Sequence, residues 1–325
     1  MIGKSLGTFD VVWSITRQCN MRCIYCRSRN QDSFSVPWKD VEECLCQLRD
    51  SIEHHVLLKI TFTGGEPTMC QDIMTRLGPL RRRLPATLFE IHTNGMYLDT
   101  DEFRHQLLST FSQILVSIDM PRVGEVTHNL RVGGDGSAVW RSLARLCEGK
   151  RATETRVGVV VTVHRSNRSS LASIVNDVGK LGADWISFQP LRAAEGDTFA
   201  SQCLSAREVL EVHDELCASN NCGESSTRVD ISMLGLASRN LSGKARTIPA
   251  CHAGNRFIYI TNEMRVFPCC MVWPNHPLGL SFDQALRLLK EKRLHKYYSE
   301  LLRNAQLLSC LKCVYYNNMA NGSSE

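Results

Sequence analysis

Short apolar, β-rich runs alternate with segments of helical period through the first two-thirds of the chain. The β-rich runs are residues 9–15, 57–63, 88–93, 114–119, 156–163 and 185–189, and the helical ones are 38–53, 70–84, 100–109, 138–147 and 170–181. Strands that alternate with helices predict βα units on a parallel sheet. Six such units predict an α/β fold built as a partial (β/α)6 barrel, smaller than the eight-unit version. Residues 205–218 read as one more amphipathic helix, and 220–246, rich in Ser, Asn and Gly, read as a plain linker or as a lid over the barrel mouth. Towards the C-terminus, a strand at 258–260, a turn, a strand at 265–269 and a later helix predict a small β-hairpin plus helix extension.

Candidate chemistry gathers where the predicted strands end, which is where parallel α/β folds place their sites. The first strand leads into Cys19-Asn20-Met21-Arg22-Cys23-Ile24-Tyr25-Cys26, and the second into Gly64-Gly65-Glu66-Pro67. Cys19, Cys23 and Cys26 can wrap one iron–sulfur cube. Four thiolates usually saturate a [4Fe-4S] cluster, so three close ligands leave one iron open. A zinc knuckle is the alternative, but structural zinc wants four ligands, and the next cysteine, Cys44, lies in a helical pattern.

The C-x3-C-x2-C loop followed by Gly-Gly-Glu-Pro resembles the radical S-adenosylmethionine (SAM) superfamily. The resemblance implies a radical SAM partial barrel whose open iron chelates SAM. It implies that Gly64 and Gly65 bring the backbone close to the methionine end of SAM and that Glu66 accepts from its ammonium group. Tyr25 matches the aromatic residue beside the last cluster cysteine, whose backbone faces the adenine. Ser117 and Asp119 match the fourth-strand motif that touches the ribose or the methionine carboxylate. Gln189 and Leu191 match the end of the sixth strand, and Thr93 and Asn94 the end of the third, both facing the pocket; a strand-end Asp or Asn is also often a plain cap.

A second group, Cys251, Cys269, Cys310 and Cys313, flanks the predicted hairpin and follows the last helix. It resembles the auxiliary-cluster extension of twitch and SPASM radical SAM enzymes, and with no cysteine after Cys313 the shorter twitch form fits better. Four cysteines also satisfy a zinc site. The family usually has glycine at the hairpin turn where this chain has Met264, so a different turn is expected. The resemblance divides the chain into a core at 1–200, a helix and connector at 201–250 and a twitch-like domain at 251–325. It implies two [4Fe-4S] clusters, one SAM-binding and one auxiliary. Cys270, beside a ligand, and Cys222, in the connector, are candidate hydrogen donors to a substrate radical.

The 325 residues and their 43% hydrophobic and 22% charged content suit one large domain with a small appendage. No signal peptide or run of about 20 apolar residues appears, so a cytoplasmic chain without membrane spans is expected, and the fifteen cysteines read as reduced thiols and metal ligands. A net charge of +5 gives no reason to expect nucleic-acid binding. Arg81-Arg82-Arg83 reads as a solvated helix end or a contact for an acidic flavodoxin or ferredoxin; such a donor is implied by the chemistry. The resemblance implies an oxidoreductase that cleaves SAM and takes hydrogen from an unactivated C–H bond. An auxiliary cluster favours oxidation of a secondary alcohol on a sugar or cyclitol in natural-product biosynthesis. Epimerisation through a cysteine donor and modification of a peptide are the alternatives.

Overall fold

The computed structural model describes residues 7–26, 34–98, 100–121, 130–193, 197–220, 227–232, 234, 254–270 and 279–304. The strands are β1 (Thr8–Thr16), β2 (Leu57–Gly64), β3 (Thr87–Thr93), β4 (Gln113–Ser117), β5 (Arg156–Val163), β6 (Trp185–Pro190), β7 (Arg228–Asp230), β8 (Phe257–Ile260), β9 (Arg265–Phe267) and β10 (Leu280–Ser281). The helices are α1 (Trp38–Ser51), α2 (Gln71–Arg83), α3 (Asp101–Thr110), α4 (Gly136–Gly149), α5 (Leu171–Leu181), α6 (Ala206–Asn220), α7 (Phe282–Lys290) and α8 (Leu294–Asn304). Every strand and helix expected in the first two-thirds forms, with ends displaced by a few residues at most. Two compact units emerge, residues 1–18, 30–91 and 248–325 in the first and 19–29 and 92–247 in the second.

In the first unit β1 pairs in parallel with β2 on one side and with β8 on the other, and β2 pairs in parallel with β3. Side chains on a strand alternate between faces. Val11, Trp13, Ile15, Ile60, Phe62 and Phe89 are fully buried on one face. Val41, Cys44, Leu45 and Leu48 form the buried stripe of α1, and Ile73, Met74, Leu77 and Leu80 that of α2. The alternate positions carry charge: Lys59 Nζ lies 2.7 Å from Asp10 Oδ1 and 3.9 Å from Glu90 Oε2, which also accepts from Thr61 Oγ1 at 3.0 Å. Arg49, buried in α1, donates to the carbonyls of Ile52, Glu53, Val56 and Ala86 at 2.9–3.0 Å, and so fastens the entries to β2 and β3.

The predicted hairpin is present as β8 and β9, antiparallel, with Tyr259 opposite Phe267. Its turn has the geometry glycine would give: Met264 stands at φ 57°, the left-handed region, with its N–H bonded to the Thr261 carbonyl at 3.0 Å. Methionine there departs from the glycine habit without changing the hairpin's closure.

In the second unit β4, β5, β6 and β7 pair in parallel in that order. Asp135 caps α4 by accepting from Ser137 N at 2.9 Å, and Gly182 ends α5 in the left-handed conformation. β7, three residues long, escaped the sequence pattern because so short a run has no period to read. Among the described residues no helix is long and apolar enough to cross a membrane.

Candidate active site

In the first unit β1 and β2 end together. A register shift after Ser14 sets Thr16 opposite Gly64, and the pairing then continues through the turn: Gly65 N donates to Thr16 O and Glu66 N to Gln18 O, each at 2.7 Å. A Cβ on Gly64 would stand 2.2 Å from Thr16 O, and one on Gly65 2.1 Å from Gln18 O. The close approach that requires these glycines is therefore to the chain's own backbone at the exit of β1. Glu66 is buried and caps the 3-10 turn Pro67–Met69, its Oε1 accepting from Thr68 N and Oγ1.

The second unit holds the cysteine loop. Cys19, Cys23 and Cys26 form no disulfide and are partly exposed, and Cys26 N donates to Cys23 O at 3.1 Å. Residues 130–132 run alongside: Arg22 N donates to Val132 O and Ile24 N to Leu130 O, each at 2.7 Å. Between those carbonyls Arg131 turns inward, 93% buried, and donates to Ser117 O at 2.6 Å and Asp119 Oδ1 at 3.4 Å, with Met21 Sδ at 3.5 Å. Burial pushes the Cys23 thiol up, and the adjoining Arg131 guanidinium opposes that shift.

Asp119, 1% exposed, is the centre of the arrangement. Tyr25 donates its hydroxyl to Asp119 Oδ2 at 3.1 Å, and His164 Nε2 lies 3.9 Å from the same oxygen. Burial alone would raise the Asp119 carboxyl, but His164, Arg131 and Tyr25 outweigh it and hold the group below the usual carboxylate range. Burial, then the neighbouring Asp119 charge, pushes Tyr25 well up, so its hydroxyl keeps the proton it donates. Asn167 donates to Asp119 O at 3.0 Å and Thr162 O at 2.8 Å, and accepts from His164 N at 2.9 Å.

Asn94 also reaches the loop. Its Nδ2 donates to Asn20 Oδ1 at 2.7 Å and lies 3.8 Å from Cys19 Sγ, while Thr93 Oγ1 accepts from Gly95 N at 3.0 Å. Ser117 is partly buried, Gln189 is exposed, and Leu191 is buried with its N–H on Val163 O at 2.8 Å. Cys269 is partly exposed and Cys270 exposed, just past β9. Cys222, Cys251, Cys310 and Cys313 lie outside the described residues, as does most of 220–246. Sequence reasoning missed Arg131 and Asn167, for a lone Arg in a Gly-rich loop and an Asn three residues after a His carry no periodic signal, and it claimed nothing for His164 beyond proton handling.

Among the described residues no three His, Cys, Asp or Glu side chains converge on one point as a single metal ion demands. A [4Fe-4S] cluster makes no such demand, because each thiolate takes its own iron. Three cysteines on one braced loop, none in a disulfide, fit it.

The radical SAM superfamily matches residues 13–178. An Fe-coproporphyrin III synthase of Methanosarcina barkeri is 27% identical over 206 residues, 63% of this chain and 49% of that protein. The chain thus spans about half the length of this relative. Among solved structures, Streptococcus suis SuiB bound to S-adenosylmethionine has a TM-score of 0.74 at 15% identity, covering 96% of this chain and 72% of that one. Native anSMEcpe with bound AdoMet has a TM-score of 0.67 at 18% identity, covering 96% and 88%. SuiB bound to precursor peptide SuiA has a TM-score of 0.71 at 16% identity, covering 96% and 70%. At these identities the likeness shows the fold, an α/β partial barrel with parallel strands.

Proposed function

The chain belongs to the radical SAM superfamily, and from that premise we propose that it cleaves SAM reductively and takes hydrogen from an unactivated C–H bond of a natural-product-type substrate. The observation that carries this is the braced loop on which Cys19, Cys23 and Cys26 stand together outside any disulfide. When bound, the cluster and SAM supply the deoxyadenosyl radical and an auxiliary cluster supplies an electron acceptor. Cys19, Cys23 and Cys26 ligate the first cluster, and Glu66, oriented by Thr68, accepts from the SAM ammonium. Gly64 and Gly65 expose backbone beside it, and Tyr25, Thr93, Asn94, Ser117, Gln189 and Leu191 line the cofactor. A flavodoxin or ferredoxin delivers the electron.

Residues 251–325 act as a twitch-like segment, with Cys251, Cys269, Cys310 and Cys313 around an auxiliary [4Fe-4S] cluster. The hairpin before Cys269 supports this reading. It favours net two-electron oxidation of a secondary alcohol on a sugar or cyclitol. A peptide substrate is the second reading, favoured by the fold shared with a protein crystallised with its precursor peptide.

Anaerobic reconstitution tests the proposal. About eight iron atoms per chain are expected for two [4Fe-4S] clusters, and replacing Cys19, Cys23 and Cys26 together by Ala removes half of them and abolishes reductive formation of 5′-deoxyadenosine. Deoxyadenosine formed by the triple variant would sink the assignment; zinc in place of half the iron would overturn only the auxiliary site. With substrate, oxidation gives a product short of two hydrogens, and Cys270→Ala still turns over. A product isomeric with the substrate in H2O that takes up one solvent deuteron in D2O would make the protein an epimerase.

A further inference from the structure

The buried Asp119 carboxylate is engaged by Tyr25 on Oδ2 and Arg131 on Oδ1, with His164 alongside. Tyr25 stands between Cys23 and Cys26 in sequence and bonds Asp119, and Arg131 adjoins Cys23. We propose that Tyr25, Asp119 and Arg131 form a clamp that holds the Cys23–Cys26 turn ready for its cluster before any iron is present, with Asp119 a positioning residue at its pivot. The inference rests on those cysteines being cluster ligands.

Each joint has a physical reason. A buried carboxylate and a buried guanidinium persist only when paired and hydrogen-bonded, so loop and node are energetically bound to each other. Arg131 is a planar fork whose donors reach Ser117 O and Asp119 together. Lysine, with one ammonium point, keeps the charge but not both contacts. Asn167 anchors Asp119 through its backbone carbonyl, and Leu130 and Val132 carry the loop's amides on either side of Arg131. The pivot therefore ties the loop to the ends of β4 and β5. Ligands held in place by an outer shell lose less freedom when the metal binds.

Arg131 has a second consequence. Reduction adds one negative charge to a cluster ligated by Cys23, and a fixed guanidinium beside that thiolate stabilises the reduced form.

The test uses full-length protein. In apo protein, alkylation of individual cysteines by iodoacetamide is followed by mass spectrometry, with buried Cys44 as the folding control. Tyr25→Phe deletes one hydroxyl and keeps the ring, so Cys23 and Cys26 should alkylate at least about threefold faster while Cys44 stays protected. Asp119→Asn should do the same. After reconstitution, Arg131→Gln should shift the midpoint potential of the SAM-binding cluster to more negative values. Arg131→Lys should keep the wild-type potential while Cys23 and Cys26 alkylate faster than in wild type, because lysine keeps the charge but not both contacts. Unchanged alkylation in Tyr25→Phe would overturn the clamp, and an unchanged potential in Arg131→Gln would overturn the electrostatic consequence. Should Asp119→Asn fail to fold, Tyr25→Phe still decides the matter. Wild-type protein that takes up no iron at these cysteines would defeat the ligand assignment instead, a separate result.

Discussion

Thr68 holds Glu66 by two hydrogen bonds to one oxygen: its N–H, at 3.1 Å, and its hydroxyl, at 2.6 Å, both end on Oε1. Both residues are buried, so the carboxylate is aimed by the 3-10 turn it caps.

If that carboxylate accepts from the SAM ammonium, Glu66→Ala removes a charge-assisted bond worth roughly 1.5–3 kcal/mol, so SAM affinity should fall about tenfold or more. Iron content should stay at the wild-type level, because Glu66 is no ligand. Thr68→Val should cost about 1 kcal/mol of the same binding by loosening the aim. Equilibrium dialysis of reconstituted protein checks both, and unaltered affinity in Glu66→Ala would remove the residue from the site.

Gly65→Ala tests the junction beneath. Its methyl group would stand 2.1 Å from the Gln18 carbonyl, a backbone atom that cannot swing aside. Overpacking of this kind costs roughly 1–3 kcal/mol. Urea unfolding of apo protein should show that loss, and a variant as stable as wild type would mean that β1 and β2 part there without penalty.

The ladder β1 to β6 was legible because each strand and helix carries its own period, apolar at alternate positions or at every third and fourth. The cysteine loop and the Gly-Gly-Glu-Pro turn were legible because their chemistry is local in sequence. The node around Asp119 was not. Tyr25 and Asp119 are 94 positions apart, and Arg131 is 110 from Met21; no window along the chain contains both partners. The glycines show a subtler gap, for sequence marks a close approach at Gly64 and Gly65 without saying what approaches.

Met264 offers a gain. A side chain in the left-handed region costs roughly 1–2 kcal/mol, and glycine relieves that at an entropic cost of about 0.5–1 kcal/mol. Met264→Gly should therefore stabilise the protein by up to about 1 kcal/mol. Thermal unfolding at fixed pH decides it, and a lower midpoint would show that the methionine side chain packs for more than its backbone strain.

Ser205 and Glu208 bound the start of α6 with a reciprocal pair: Glu208 N donates to Ser205 Oγ at 3.3 Å, and Ser205 N donates to Glu208 Oε2 at 2.7 Å. The Ser205 backbone bond, then its hydroxyl, and finally Arg165 lower the Glu208 carboxyl to about 2. A folded value below the unfolded one means that the charged form is the better bound, so its contribution is complete above the unfolded value and fades as pH falls towards 2. Glu208→Gln should therefore be less stable than wild type at neutral pH, and the gap should close as pH drops from about 4.5 to about 2. Salt should narrow it at neutral pH, because the carboxylate reaches solvent. Amide hydrogen exchange in the first turn of α6, read for both proteins across that range, is the measurement; a gap that stays constant between pH 5 and pH 3 would show that the capping bonds hold α6 regardless of the charge on Glu208.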